Sequence, residues 1–338
     1  MGQADTRAGR QGRLTARPGK GAARFAAALL FACCAGVALA QGAYPAAPVR
    51  FLVSFPPGGP LDIMARTLAE RLQAALKQPF VVENKPGASG NVGADQIAKS
   101  APDGYNVLFT IDTVFTVNPT LYATLPYKLA DLKPLFLIGS SGLMVAVHPS
   151  VGAASLAELV ARGRTQTLNF SSGGNGSPGH ITSAILAAKT GVKVNHVPYK
   201  GNTPAVLAIV SGEVQAGILA TPGLLPHVQS GKVRALAVTG RKRSPVAPDV
   251  PTVIEAGFPD LEFEVAYLSL VPAATPPAVV ATLQQAMAEA LAQPAARERL
   301  EKLDVVVEAD GGPAVAARLD ALRQRYAPII RDTGMKVD

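Results

Sequence analysis

Two stretches of this sequence join an apolar strand-like run to a glycine-rich turn and the start of a helix. Val49 to Leu68 reads VRFLVSFPPGGPLDIMARTL, and Thr167 to Ala187 reads TLNFSSGGNGSPGHITSAILA. Glycines at such a turn let the backbone pass close to a ligand. The helix behind them presents unpaired N–H groups at the positive end of its dipole. That chemistry is anion capture. Two such cradles, roughly a domain apart in sequence, predict two lobes facing one small acid.

Other chemistries fit these residues poorly. Gly174, Gly176 and Gly179 match the spacing of a dinucleotide fingerprint, but the strand that should end in a ribose-binding acid reads Val194-Asn195-His196-Val197-Pro198-Tyr199-Lys200 and contains none. A nucleophile elbow needs Gly-x-Ser-x-Gly, and Asn175 stands at its first position before Gly176, Ser177 and Gly179. His180 follows Ser177, yet the segment supplies no acid to orient it. The four histidines, at 148, 180, 196 and 227, show no metal-ligand spacing. No cofactor, no metal and no enzyme activity are expected. Asp112, after the apolar run Val107–Ile111, has two readings: it points into a cleft, or it bonds its own turn. In the first case the ligand would carry a positive or hydrogen-donating group beside its carboxylate, because a second carboxylate there would be repelled.

The first 24 residues hold Arg7, Arg10, Arg13, Arg17, Lys20 and Arg24 against Asp5 alone, and Phe25–Ala40 is apolar up to Ala38-Leu39-Ala40. This is the pattern of a cleaved secretory signal, residues 1–40, with the mature chain beginning near Gln41. The apolar run falls short of the ~20 residues that span a bilayer. Cys33 and Cys34, the sequence's two cysteines, leave with it. A lipid anchor on Cys33 is disfavoured by the bulky Phe31. Removing six bases and one acid lowers the net charge from +8 to +3. No dense basic stripe remains, so nucleic acid is not an expected partner.

In the mature chain, apolar strand-like runs alternate with helix-like runs. They are Val49–Ser54, Leu61–Leu76, Phe80–Glu83, Ala88–Ser100, Asn106–Thr110 and Thr116–Tyr122. The pattern restarts at Leu143–Val147 and continues through Thr167–Phe170, Ile181–Thr190, Val194–Tyr199, Pro204–Ser211, Ala216–Ala220, Pro222–Ser230 and Val233–Thr239, with an amphipathic helix at Pro277–Ala292. Continuously apolar strands followed by helices predict an α/β fold with a parallel-rich sheet covered on both faces. Ser155 with Glu158 predicts a capped helix start, and Gly191 and Gly231 predict helix ends.

Further matching stretches run in order along the chain: VVENKPGASGNVGADQIAKSAPDGY (81–105), VNPTLYATLPY (117–127), HVPYKG (196–201), GKVRALAVTGRKRSPVAPDVPTVIEAG (231–257) and VPAATP (271–276). With FPPGGPLDIMAR (55–66) and SSGGNGSPGH (171–180), the sequence resembles the receptors of the tripartite tricarboxylate transporter family, also called Bug receptors. The resemblance implies a type II periplasmic-binding-protein fold, two lobes joined by two crossing segments. Lobe one would comprise 44–142 plus 268–338, and lobe two 143–267. It implies a periplasmic, monomeric receptor that takes a small organic carboxylate and delivers it to membrane permease subunits. A ligand sensor signalling to a membrane histidine kinase is the alternative.

Carried over residue by residue, the resemblance places Phe55, Gly58, Gly59 and Asp62 on one side of the ligand. Ser172, Asn175, Gly176, Ser177 and His180 fall on the other. Asp112 with its neighbour Thr113, and Thr221, complete the candidate set. The chain departs from the family pattern at Pro60-Leu61, where a small residue and then Thr or Ser are common, and at Leu219-Ala220, where Asp-Asn is common. Gly59→Val is expected to damage binding by blocking backbone approach and restricting φ.

Overall fold

The computed structural model describes residues 1–2 and 44–336. The basic segment, both cysteines and Ala38-Leu39-Ala40 lie outside the described residues. Met1–Ala46 forms one unit, whose described residues contain no helix or strand; Ala47–Asp338 forms another and carries the fold described below.

Phe51, Leu52 and Val53 are fully buried in β1 (Val49–Val53). β1 lies between β2 (Phe80–Asn84) and β3 (Asn106–Ile111), parallel to both. Helix α1 (Pro60–Leu76) follows β1, and α2 (Asn91–Ala98) precedes β3. Two single-turn helices, α3 (Thr113–Thr116) and α4 (Asn118–Leu121), come next, where the sequence predicted one element. Long strand β4 (Leu132–Val147) leads to α5 (Leu156–Thr165), capped as expected by the Ser155 hydroxyl, which accepts from the Glu158 N–H at 3.2 Å. Then β5 (Leu168–Ser172), α6 (Pro178–Thr190), β6 (Val194–Pro198), α7 (Asn202–Val210), β7 (Ala216–Ala220), α8 (Thr221–Gln229) and β8 (Arg234–Val238) alternate. The chain ends through β9 (Glu264–Pro272), α9 (Pro277–Ala292), α10 (Pro294–Glu301), β10 (Val306–Gly311) and α11 (Pro313–Asp332).

The strands form one sheet in the order β2-β1-β3-β9-β4-β7-β5-β6, with β8 and β10 also paired to β4. Pairing is parallel on both wings, within β2-β1-β3 and within β7-β5-β6. It is antiparallel in the middle, where β9 meets β3 and β4, and β4 meets β7, β8 and β10. The reason is β4. Its first part, from Leu132 to Gly142, pairs β9, and its last part, Leu143–Val147, pairs β7 and β8. One strand therefore serves both wings.

The sequence predicted only Leu143–Val147 of this strand. Pro134, Gly139, Ser140, Ser141 and Gly142 interrupt the apolar run. Gly139 has a packing reason: a Cβ there would stand 2.2 Å from the Val306 carbonyl oxygen on β10. β10 carries few buried residues, and its pattern gave no strand signal.

Buried apolar side chains gather on each wing. One cluster joins Leu52, Ile97, Leu108, Leu137 and Leu268 with Val315 and Leu319 of α11. Another joins Met144, Val206, Ile209, Leu219, Leu224 and Val238. Phe51 anchors β1, its ring centroid 4.5 Å from that of Phe109 and 5.1 Å from that of Phe80. Phe51→Ala should lower unfolding free energy by about 3–5 kcal/mol, read by chemical denaturation, because the cavity left between two rings cannot close fully.

Candidate functional site

A cavity of about 360 Å³ opens between the first glycine turn and the helix starts of the other wing. That volume falls in the range of small-molecule sites, roughly 300–1,000 Å³. Helix α1 reaches it through Gly59, Pro60 and Leu61; α6 through Ser177, Pro178 and Gly179; α7 through Gly201, Asn202 and Thr203; and α8 through Ala220. Four helix N-termini therefore converge on one space. Each brings N–H groups without an intrahelical partner and a positive dipole end.

Three of the four starts have no side-chain cap. Gly59 before α1, Gly201 before α7 and Ala220 before α8 supply none. The second predicted cradle is the exception. The Ser177 hydroxyl accepts from the His180 N–H at 3.4 Å, Gly174 N–H donates to the Ser172 hydroxyl at 3.2 Å, and Gly176 N–H donates to His180 Nδ1 at 3.0 Å. These donors are spent within the loop. Among the described residues on the wall, Lys200 is the single charged side chain, and no acid is present.

The floor is apolar. Ile111, Leu143, Leu219 and Val265 line it with Tyr267, all buried. The Tyr267 hydroxyl lies 2.9 Å from that of Ser141, and burial pushes its pKa up to about 12. Tyr267 is thus a neutral phenol whose hydroxyl is bonded to that of Ser141 on β4.

Of the twelve residues expected from the sequence, Phe55, Gly58, Gly59 and Ser177 line the cavity. The others stand elsewhere, each for a physical reason. Asp62 is buried behind the first turn, where it accepts from Gly58 N–H at 3.0 Å, Arg66 Nε at 3.0 Å and Asn84 Nδ2 at 2.9 Å. Burial works against its charge, but these donors win and hold its pKa below the usual value. Asn84 Nδ2 also donates to the Phe55 carbonyl, so Asp62 and Asn84 together fix the turn. Asp62 holds the turn and does not line the cavity.

Asp112 is absent from the wall, and it bonds both its own turn and the distant strand β9. It is fully buried, with Oδ1 accepting from the Ala266 N–H of β9 at 3.0 Å and Oδ2 from the Thr116 hydroxyl at 3.2 Å. Burial raises its pKa to about 6. The argument for an ammonium or N–H on the ligand falls with it. Thr113 is buried beside it in α3 and Thr221 is buried at the start of α8, and neither hydroxyl has a hydrogen-bond partner among the described residues.

Ser172 is held by His196, at 2.6 Å from its hydroxyl. The Asn175 carbonyl accepts from the Ser89 hydroxyl at 2.7 Å, which ties the second loop to the turn before α2. Gly176 sits against the same turn, since a Cβ there would lie 2.9 Å from the Ser89 hydroxyl and 2.6 Å from Leu121. His180 faces a different cavity, of about 470 Å³, alongside His196, Asp332 and Met335.

The glycine requirement also moves by one residue. Gly59 has φ −80°, open to any side chain, and a Cβ there would meet only the Pro56 carbonyl at 3.6 Å. Gly58 has φ +80°, and it is the position that needs glycine. The sequence reading missed Lys200, Asn202 and Ala220. Helix α8 was expected from Pro222, in its first turn, but Ala220 carries no group that would mark a binding site.

The His180 and His196 rings stack at 3.7 Å between centroids, and burial lowers both pKa values to about 4. Both are neutral in the fold but titrate near 6.5 when unfolded. Protons therefore favour the unfolded chain as pH falls from about 6.5 toward 4, and stability is lost across that window. His180→Asn with His196→Asn should flatten the fall in thermal midpoint between those pH values. An unchanged pH slope would contradict the assignment.

Comparison with known proteins identifies the family. Residues 64–335 match the model of the tripartite tricarboxylate transporter family receptor. The sequence is 36% identical over 321 residues to protein BugT of Bordetella pertussis, covering 91% of this chain and 96% of that one. Among solved structures, the R. palustris protein Rpa4515 with adipate superposes with a TM-score of 0.81 at 29% identity, over 87% of this chain and 99% of that one. MatC from Rhodopseudomonas palustris with bound malate gives 0.78 at 29% identity, over 85% and 100%. The fold, the order of its motifs and these matches together make the chain a member of the tripartite tricarboxylate transporter receptor family, a family of periplasmic solute-binding receptors that are not enzymes.

Proposed function

We propose that this chain captures a small organic carboxylate in the cavity between its two wings and delivers it to membrane permease subunits of a tripartite transporter. The observation that carries the reading is the convergence of four helix starts on a space with one lysine and no acid. Unpaired N–H groups and dipole ends favour an anion, and the wall carries no carboxylate to repel it. The adipate and malate in two relatives are carboxylates of suitable size.

In this reading the wings are two lobes, 44–142 plus 268–338 and 143–267, with β4 and the start of β9 as the crossing segments. The separate apolar clusters support that division. Closure about the crossing strands would bring the first turn onto the helix starts of α6, α7 and α8. In this reading the Ser89 to Asn175 bond joins the two lobes. The receptor works in the periplasm as a monomer, after cleavage of a signal peptide behind Ala40.

Ala220→Asp tests the electrostatic basis directly. An aspartate at this helix start is a good N-cap, so thermal stability should hold or rise. Its charge on the wall should weaken carboxylate binding at least tenfold by calorimetry. Unchanged affinity in the folded variant would refute the site.

A further inference from the structure

Resting on the receptor reading above, the arrangement of charge in the cavity narrows the ligand. The charge occupies one stretch of the wall. Gly201 faces the first turn, since a Cβ there would approach Pro56 Cγ to 4.0 Å, and Lys200 stands beside it. Pro56 of the first turn and Gly201 before α7 thus approach each other across the cavity, and Lys200 is on the same stretch of wall. Elsewhere the wall carries no charged side chain among the described residues, and the α8 start at Ala220 adjoins Leu143 and Leu219 there. This floor is Ile111, Leu143, Leu219, Val265 and the ring of Tyr267, whose hydroxyl is engaged by Ser141.

An anionic head placed between them meets helix starts from both wings. A second carboxylate on the same molecule would be driven against the apolar floor, where it would lose its water and find no counter-charge. An alkyl or aromatic body gains there instead, because the floor is apolar and already buried. Leu219 contributes to this, since an acid or amide at that position would put polar atoms where the floor is hydrocarbon. We infer that this receptor selects a monocarboxylate with an apolar body, alkyl or aromatic, and that Lys200 and Leu219 determine the choice: Lys200 as counter-ion of the single carboxylate, Leu219 as part of the wall that excludes a second.

Hexanoate and adipate have the same chain length and differ in a terminal methyl against a second carboxylate, so the pair isolates the claim. Calorimetry on the mature protein should give hexanoate a dissociation constant at least tenfold below that of adipate, with phenylacetate on the hexanoate side and malate and citrate on the adipate side. Lys200→Gln, a change at an exposed position, should weaken hexanoate binding several-fold and flatten its salt dependence while the thermal midpoint stays put. Leu219→Asn should narrow the gap between hexanoate and adipate. Adipate or malate binding as tightly as hexanoate would overturn this inference and leave the receptor reading standing. Hexanamide binding as tightly as hexanoate, or no binding by any of these acids, would overturn both. An unaltered hexanoate affinity in Lys200→Gln would remove the lysine from the account even if the preference held.

Discussion

The structure depends on pointing helix N-termini at one another across a gap. Each start carries roughly half a positive charge and several unsatisfied donors, and bringing four together is unfavourable unless an anion or water fills the space. Three of the four starts lack a side-chain cap, although capping is a cheap way to satisfy them. The fourth start, at Ser177, is capped from within its own loop. The cavity thus combines three starts without a side-chain cap, where Gly58, Gly201 and Ala220 N–H groups are held by Asp62, Gly173 and Asn202, with one start capped from its own loop. This asymmetry gives the space its preference for an anion and also gives that anion an orientation.

The rest of the fold serves to place those starts. Parallel strands on each wing end at the cavity and hand over to helices that begin there, which follows from the strand-to-helix connections of the α/β pattern. The wings meet through antiparallel pairing of β4 with β9 and β7, so a single 16-residue strand registers one against the other. Close to the site, buried polar groups hold loops rather than ligand. Asp62 and Asn84 fix the first turn, His180 and Ser172 hold the second, and Asp112 ties the end of β3 to β9. A carboxylate used this way is spent on structure, and this keeps acids off the cavity wall.

Much of this was legible in the sequence. The strand, glycine turn and helix at Val49–Leu68 predicted one side of the cavity, because an apolar run followed by Pro-Pro-Gly-Gly-Pro leaves few other conformations. Helix caps at Ser155 and Gly191 fell where their chemistry placed them. What sequence could not supply was side-chain direction. Asp62, Asp112 and His180 have the residue types of ligand contacts, but their partners are 4, 154 and 4 residues away, and only the fold shows that those partners use them up. The helices α7 and α8 were expected, at Pro204–Ser211 and Pro222–Ser230, but the place of their starts at the cavity was hidden for a different reason. Neither has a glycine-rich turn of the kind that marks a cradle, so Asn202 and Ala220 looked like ordinary strand-to-helix junctions. The long β4 was masked by Gly139 and Gly142, whose missing side chains make room for neighbouring backbone.

The most direct test of the account is a crystal structure of the mature protein grown with hexanoate. The account predicts the carboxylate in the gap between the turn at Gly58-Gly59 and the start of α7, with oxygens accepting from main-chain N–H groups and the Lys200 ammonium alongside. The alkyl tail should lie on Leu219, Val265 and Tyr267. A carboxylate turned toward that floor, or a ligand seated in the separate cavity beside His180 and His196, would contradict it.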